Sequence, residues 1–499
     1  NIEERASAYF YIAYAKHDLE DFKGALEDNT KAIELDPEFE YAYYNRAILK
    51  NILEDYKGAI EDNSKAIELN PKNASAYYNR GISKDNLEDY KGAIEDNSKA
   101  IELNPKNASA YYNRGFSKDN LEDYKGAIED YTKAIELDPE YVDAYYNRGF
   151  SKDNLEDYKG AIEDYTKVIE LDPEYVDAYY NRGISKDTLE DYKGAIEDYT
   201  KTIELNPEYV NAYVNRGISK DTLEDYKGAI EDYTKAIELD PNEAISYYNR
   251  GIIKDDLKDY KGAIEDYTKA IEIDPEYVNA YYNRGISKDN LEDYKGAIED
   301  YTKVIELDPE DIGAYYNRGF SKNYLEDYKG AINDFNKAIE IDPEYHYAYA
   351  GRGKVKNSLD DFKGAMEDFN KAIELEPENA FAYASRGEAK DSLGKYFDAI
   401  YDFTRAIELD PKNSDYYNNR CWSKYNMGKY KNALEDCEIA LSINSKNESA
   451  YDLRGDVKLA LGDKQGACSD YKKAINNGYK QREKYLSSKE GTWCKNMLN

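Results

Sequence analysis

All twelve prolines, from Pro37 to Pro411, stand 34 residues apart, and no proline falls anywhere else. A fixed period of that length means that one supersecondary unit is copied along the chain, so the 499 residues cannot be divided into ordinary globular domains by length alone. Extending the register gives fourteen repeats from about Ala6 to about Gln481. The chain divides into a lead-in over 1–5, a uniform array over 6–345 (repeats one to ten), divergent repeats eleven to fourteen over 346–481, and a C-terminal cap over 482–499.

The copy from Ala108 to Pro139 shows what one unit can build. Ala127, Ile128, Tyr131, Ala134, Ile135 and Leu137 form one apolar face of an α-helix, with Asp123 placed to cap its start and Asp138-Pro139 to stop it. A first helix is expected from about Ser109 to Leu121, with Tyr111, Gly115 and Lys118 on one side and Tyr112, Asn113, Phe116 and Asp119 on another. Gly115, Ala127 and Ala134 are small enough to let the two backbones approach, while Tyr111, Tyr124 and Tyr131 fill the surrounding space. A lone hairpin of this kind cannot bury its apolar face, so neighbouring copies must stack. Most of the 55 tyrosines are therefore expected in packing roles, with hydroxyls at the wet edge.

Unit length, small residues, aromatics and closing proline resemble the tetratricopeptide repeat over nearly the whole chain. The resemblance implies an all-α solenoid, a right-handed superhelix whose first helices line an inner groove, and a protein-binding scaffold as the function. Arg114 and Lys118 depart from that pattern, which usually has apolar residues there. The Arg recurs in repeats two to fourteen and the Asp of "IED" in all fourteen, so an ion pair is expected between helices, as Arg114 with Asp130 and Arg148 with Asp164. Copy number leaves open whether the pair closes within a repeat or across to the next.

The other side of the first helix carries a repeated stripe. Asn45, Asn79, Asn113, Asn147, Asn181, Asn215, Asn249, Asn283 and Asn317 run without interruption, beside tyrosines such as Tyr112, Tyr146 and Tyr180, apolar residues such as Phe116 and Phe150, and aspartates such as Asp119, Asp153 and Asp187. An amide offers both a donor and an acceptor, which suits the backbone of an extended peptide whatever its side chains, and the aspartates favour a basic ligand. In some relatives such an asparagine ladder holds extended peptides, and the resemblance implies the same here. The competing reading is that the asparagines bond neighbouring repeats and the aspartates are a solvated face. The stripe stops at repeats eleven and twelve, where Ala350, Gly351 and Lys354, then Ala384, Ser385 and Glu388, take its places; the ligand array is thus expected over 40–345. Carboxylate-binding relatives place Lys and Arg on this face, and here Asn, Ser or Asp occupy it.

Copies two and three are identical over 62–81 and 96–115, so weak contacts to a long partner can sum by avidity. The same uniformity allows an idle groove, the repeats serving as a spacer whose ends bind. The formal charge of −34 disfavours nucleic acid and anionic membranes as partners, and no apolar run reaches the roughly 20 residues of a spanning helix. No signal peptide is visible, and a start at Asn1 fits a fragment or a processed chain. The first cysteine is Cys421; with Cys437, Cys468 and Cys494 it reads either as a buried apolar filler or as part of one or two disulfides stapling the last repeats. The second choice points to the cell envelope, while the acidity also suits cytoplasm. Catalysis is not expected: His17 and His346 are isolated, and no metal-spaced cysteine pair, phosphate loop, nucleophile elbow or calcium loop occurs, so neither metal nor cofactor is expected.

Overall fold

In a computed structural model the described residues, 2–488, 491, 493 and 494, form 29 α-helices and no strand. They are numbered in chain order, so that each repeat is an odd helix followed by an even one. Two compact units result, Asn1–Arg250 and Gly251–Asn499. Positions 1, 489, 490, 492 and 495–499, which include parts of the lead-in and the C-terminal cap, lie outside the described residues.

The fourth repeat shows why the sequence folds this way. Its helices are α7 (Ala108–Asp119) and α8 (Tyr124–Leu137). Helix α7 stops short of Leu121 because Glu122 takes the left-handed conformation, φ 61°, and the Asp123 amide turns back to the Lys118 carbonyl at 2.9 Å. Asp123 then accepts from the Gly126 amide at 3.1 Å and starts α8. A Cβ at Gly115 would stand 2.9 Å from the Tyr131 ring, so the absent side chain sets the approach of the two helices. Ala127, Tyr131 and Ala134 are fully buried beneath that contact. The Tyr131 hydroxyl is enclosed too and has no hydrogen-bond partner, which departs from the expected wet edge.

The buried position under each such contact changes along the chain. It is Asn29, Asn63 and Asn97 in repeats one to three, Tyr131 to Tyr301 in repeats four to nine, and Phe335, Phe369 and Phe403 in ten to twelve. In repeat thirteen the glycine and the ring are both replaced, by Cys421 on α25 (Ser414–Asn426) and Cys437 on α26 (Tyr430–Ile443), which pair with Cα atoms 5.7 Å apart. Cys468 of α28 (Lys464–Asn476) pairs with Cys494 at a Cα separation of 5.5 Å. The short helix α29 (Lys480–Leu486) lies against the last repeat: Arg482 donates to Asp452 and Asp456 at 2.9 and 2.8 Å, and Leu486 packs with Ala467 and Tyr471.

Candidate binding groove

Arg114 and Arg148 of the "NRG" segments lie on the side of their helices away from the stripe and are tied to their own repeats. Arg114 donates through Nε and Nη2 to Asp130 at 2.9 and 2.6 Å, and Arg148 to Asp164 at the same distances. The third nitrogen reaches backwards, Nη1 of Arg114 to Ser98 at 3.2 Å and of Arg148 to Thr132 at 3.1 Å, so the same side chain also fastens the preceding repeat. Lys118 and Lys152 add a second cation to each carboxylate at 2.8 Å. The guanidinium lies over a tyrosine ring three residues earlier, 5.6 Å from Tyr111 for Arg114. Neither the lysine nor the hydroxyl is part of the pairing read from sequence; their constant register relative to Arg was the available signal.

The stripe residues do share one face of the first helices, taken unit by unit. On α9 (Val142–Asn154), Asn147 donates to the Tyr112 hydroxyl of the preceding repeat at 2.8 Å. Asn181 and Asn215 reach Tyr146 and Tyr180 at 2.8 and 3.1 Å in the same way, and in the second unit Asn317 reaches Tyr282 at 3.0 Å. Asn45, Asn79, Asn113, Asn249 and Asn283 are half-buried like the others, and the Asn79 side-chain nitrogen is enclosed without a partner. The amides thus take part in stacking while still lining the face. Tyr112, Tyr146 and Tyr180 are half-buried against Tyr141, Tyr175 and Tyr209, with ring centroids 4.9, 5.0 and 4.8 Å apart.

Phe116 and Phe150 give the face its apolar surface, being 41% and 46% exposed. The aspartates are quieter than their number suggests. Ser151, Ser185 and Ser219 of the following repeat donate to Asp119, Asp153 and Asp187 at 2.8, 2.8 and 2.7 Å, and burial raises all three carboxyls above the usual Asp range. Between repeats four and five the stripe frames an open depression of about 290 Å³, lined by Phe116, Asp119, Tyr146, Asn147 and Phe150 together with Asn120 and Tyr124. Asn120 and Tyr124 are the two lining residues that the stripe pattern does not include. Farther along, Ala350, Gly351, Ala384 and Ser385 are buried, and Lys354 pairs with Glu388 where the stripe positions would be.

Tetratricopeptide repeat profiles match residues 6–39, 74–107, 98–129, 142–311, 313–345 and 346–379, and a further TPR repeat profile matches 51–83 and 120–152. The chain belongs to the tetratricopeptide repeat family. Proteins of this family bind protein partners, and the fold is typically a non-catalytic interaction scaffold. Among solved structures, this TPR chain is similar to YrrB, described as a TPR protein with an unusual peptide-binding site, at 30% identity over 37% of this chain and 95% of that one, TM-score 0.34. A tetratricopeptide repeat protein from Parabacteroides merdae aligns at 24% identity over 51% and 99% of the two chains, TM-score 0.43, and yeast Tom70 at 21% over 86% and 96%, TM-score 0.42. No curated protein matches the chain significantly. Among the described residues no cluster of His, Cys, Asp or Glu could hold a metal, and no helix is long and apolar enough to cross a membrane.

Proposed function

We propose that the stripe on the first helices, in repeats two to ten, holds an extended polypeptide and that the chain is a non-enzymatic scaffold. The observation that carries this reading is the depression between Phe116 and Phe150, where exposed rings, an amide and a carboxylate from two repeats converge at one repeat junction. The rings take apolar side chains, and the asparagines supply amide groups that suit a peptide backbone. A basic ligand fits the charge of −34 better than an acidic one, although the serine-bonded, half-buried aspartates attract it mainly through the field of the whole chain. The paired cysteines of the last repeats suit an oxidising compartment such as the cell envelope.

A second reading keeps the groove idle and makes the repeats a spacer, and the asparagine-to-tyrosine bonds between repeats favour it, since they give the amides a structural task. Two variants separate the readings. Asn147→Ala/Asn181→Ala/Asn215→Ala removes three amides, and Phe116→Ser/Phe150→Ser removes the rings without touching the asparagine–tyrosine bonds. Binding of a lysine-containing random peptide library should fall at least about tenfold in both, with helicity retained by circular dichroism. Wild-type binding in both would leave the spacer.

A further inference from the structure

A second cavity lies at the junction of repeats one and two, and its floor differs from that of the depression described above. It measures about 110 Å³ and is lined by Tyr14 and His17 of α1 (Ile2–Asp18), Asn29 of α2 (Phe22–Leu35), and Asn45 and Ile48 of α3 (Glu40–Ile52). These positions are the equivalents, three repeats earlier, of Phe116, Asp119, Tyr131, Asn147 and Phe150. Where repeat four buries a phenol, repeat one therefore has a carboxamide that is 1% exposed. Its nitrogen donates to the Ala25 carbonyl at 3.2 Å, and its oxygen Oδ1 has no partner. A buried acceptor left unmade costs on the order of 1–3 kcal/mol, and the replacement of a ring by an amide also forfeits packing. Asn63 and Asn97 carry the same replacement with unpartnered amide atoms, so the cost alone marks no site; at Asn29 the unpartnered oxygen also belongs to the wall of a cavity, where a ligand could complete it.

The chemistry of the walls selects what completes it. Asn29 requires a donor, while the Asn45 amide, half-buried on the opposite helix, offers both donor and acceptor. An ammonium would satisfy the acceptor but would lose its hydration inside a small, partly apolar cavity walled by Ile48, Ala13 and Leu49. A carboxylate has no proton to give Asn29 and would enter a strongly acidic molecule. A neutral primary carboxamide meets both walls and fits a cavity of this size.

We propose that this junction is a specificity pocket for the side-chain carboxamide of Asn or Gln in the bound polypeptide. The proposal rests on the groove reading above, which it extends from repeat two into repeat one, and gives it a sequence preference that the uniform repeats lack. The probe is propionamide, with propylammonium and propionate as comparisons, added to the full chain and followed by saturation-transfer NMR. Propionamide should give the strongest signal, and Asn29→Leu, which keeps the size and removes the acceptor, should weaken its affinity about fivefold, the value of one hydrogen bond. Asn29→Tyr, which installs the residue of repeats four to nine, should abolish it and serves alone if the leucine variant does not fold. Propionamide binding that is absent, no stronger than that of propylammonium, or undiminished in the variants overturns the pocket. Those results leave the peptide-library experiment untouched, and unchanged library binding in the Asn147/Asn181/Asn215 and Phe116/Phe150 variants would overturn the groove without affecting them.

Discussion

The turn between the two helices of each repeat places one residue where a side chain is costly. Glu20, Glu54, Glu88, Glu122, Glu156, Glu190, Glu224, Lys258, Glu292, Glu326 and Asp360 all have φ between 60° and 63°, whereas repeats twelve to fourteen put Gly394, Gly428 and Gly462 there, at φ 70°, 73° and 90°. The left-handed region costs an L-residue roughly 1–2 kcal/mol, which glycine escapes at some entropic expense in the unfolded chain. A Cβ on Gly394 or Gly428 would meet nothing within 4 Å, so the glycines answer the backbone and not crowding. Nothing in the structure explains why the uniform repeats keep glutamate. Replacing Glu156, Glu190 and Glu224 together by Gly should raise the urea midpoint, each change contributing up to about 1 kcal/mol. A lower midpoint would mean that these side chains make compensating contacts in solution.

Between elements, the arginine cluster decides how firmly two helices are held. On α11 (Val176–Thr188), Arg182 grips Asp198 of α12 (Tyr192–Leu205) at 2.9 and 2.6 Å, touches Thr166 of the preceding repeat at 3.0 Å, and shares the carboxylate with Lys186 at 2.7 Å. Because Asp198 keeps Lys186, Arg182→Met should cost about 2–3 kcal/mol in urea unfolding. Adding Lys186→Met strands a buried carboxylate, and the loss should then exceed the sum of the single losses and approach about 3–5 kcal/mol. A strictly additive pair would show that the second cation contributes nothing. The hairpins themselves were legible in the sequence, since the 34-residue register fixes which small residue meets which aromatic. The stripe was less so. An asparagine that follows a tyrosine in every repeat can face a ligand or bond the previous repeat's hydroxyl, and periodicity is blind to the difference. The one break in the series, Val214 in place of a tyrosine, leaves Asn249 without the preceding hydroxyl that Asn215 reaches on Tyr180. Asn29, Asn63 and Asn97 stand where the later repeats bury a tyrosine, and the apolar pattern of the second helix gives no reason for an amide at that position.

Stacked repeats add their local terms, so a small penalty carried by many copies becomes a property of the molecule. Asp85, Asp119, Asp153 and Asp187 in the first unit, and Asp255, Asp289 and Asp391 in the second, are all raised above the ordinary Asp value by burial, against the opposing effect of a serine hydroxyl donated by the next repeat. Asp85, with Asp89 nearby, and Asp391, with Glu388 nearby, are pushed up to about 6. A folded pKa above the unfolded one means that the folded chain holds more protons, so stability rises as pH falls from about 7 through 6 towards the unfolded value near 3.9. Asp28 and Asp470 have the opposite sign: burial works against their ionised form, but Lys16 and Lys31 in one case, Arg454 and Lys458 in the other, outweigh it. Their contribution is lost only at pH below the ordinary Asp range, which puts the optimum on the acid side of neutrality. The melting temperature at pH 5.5 should exceed that at pH 7.5 by roughly 2–4 °C. Relief of repulsion among the excess carboxylates acts in the same direction, and the variant Asp85→Asn/Asp391→Asn separates the two causes. It keeps the hydrogen bond to serine and removes two raised carboxyls, so its melting temperature should be higher at pH 7.5 and rise less on acidification. A pH response as steep as that of the unaltered chain would assign the effect to surface repulsion alone.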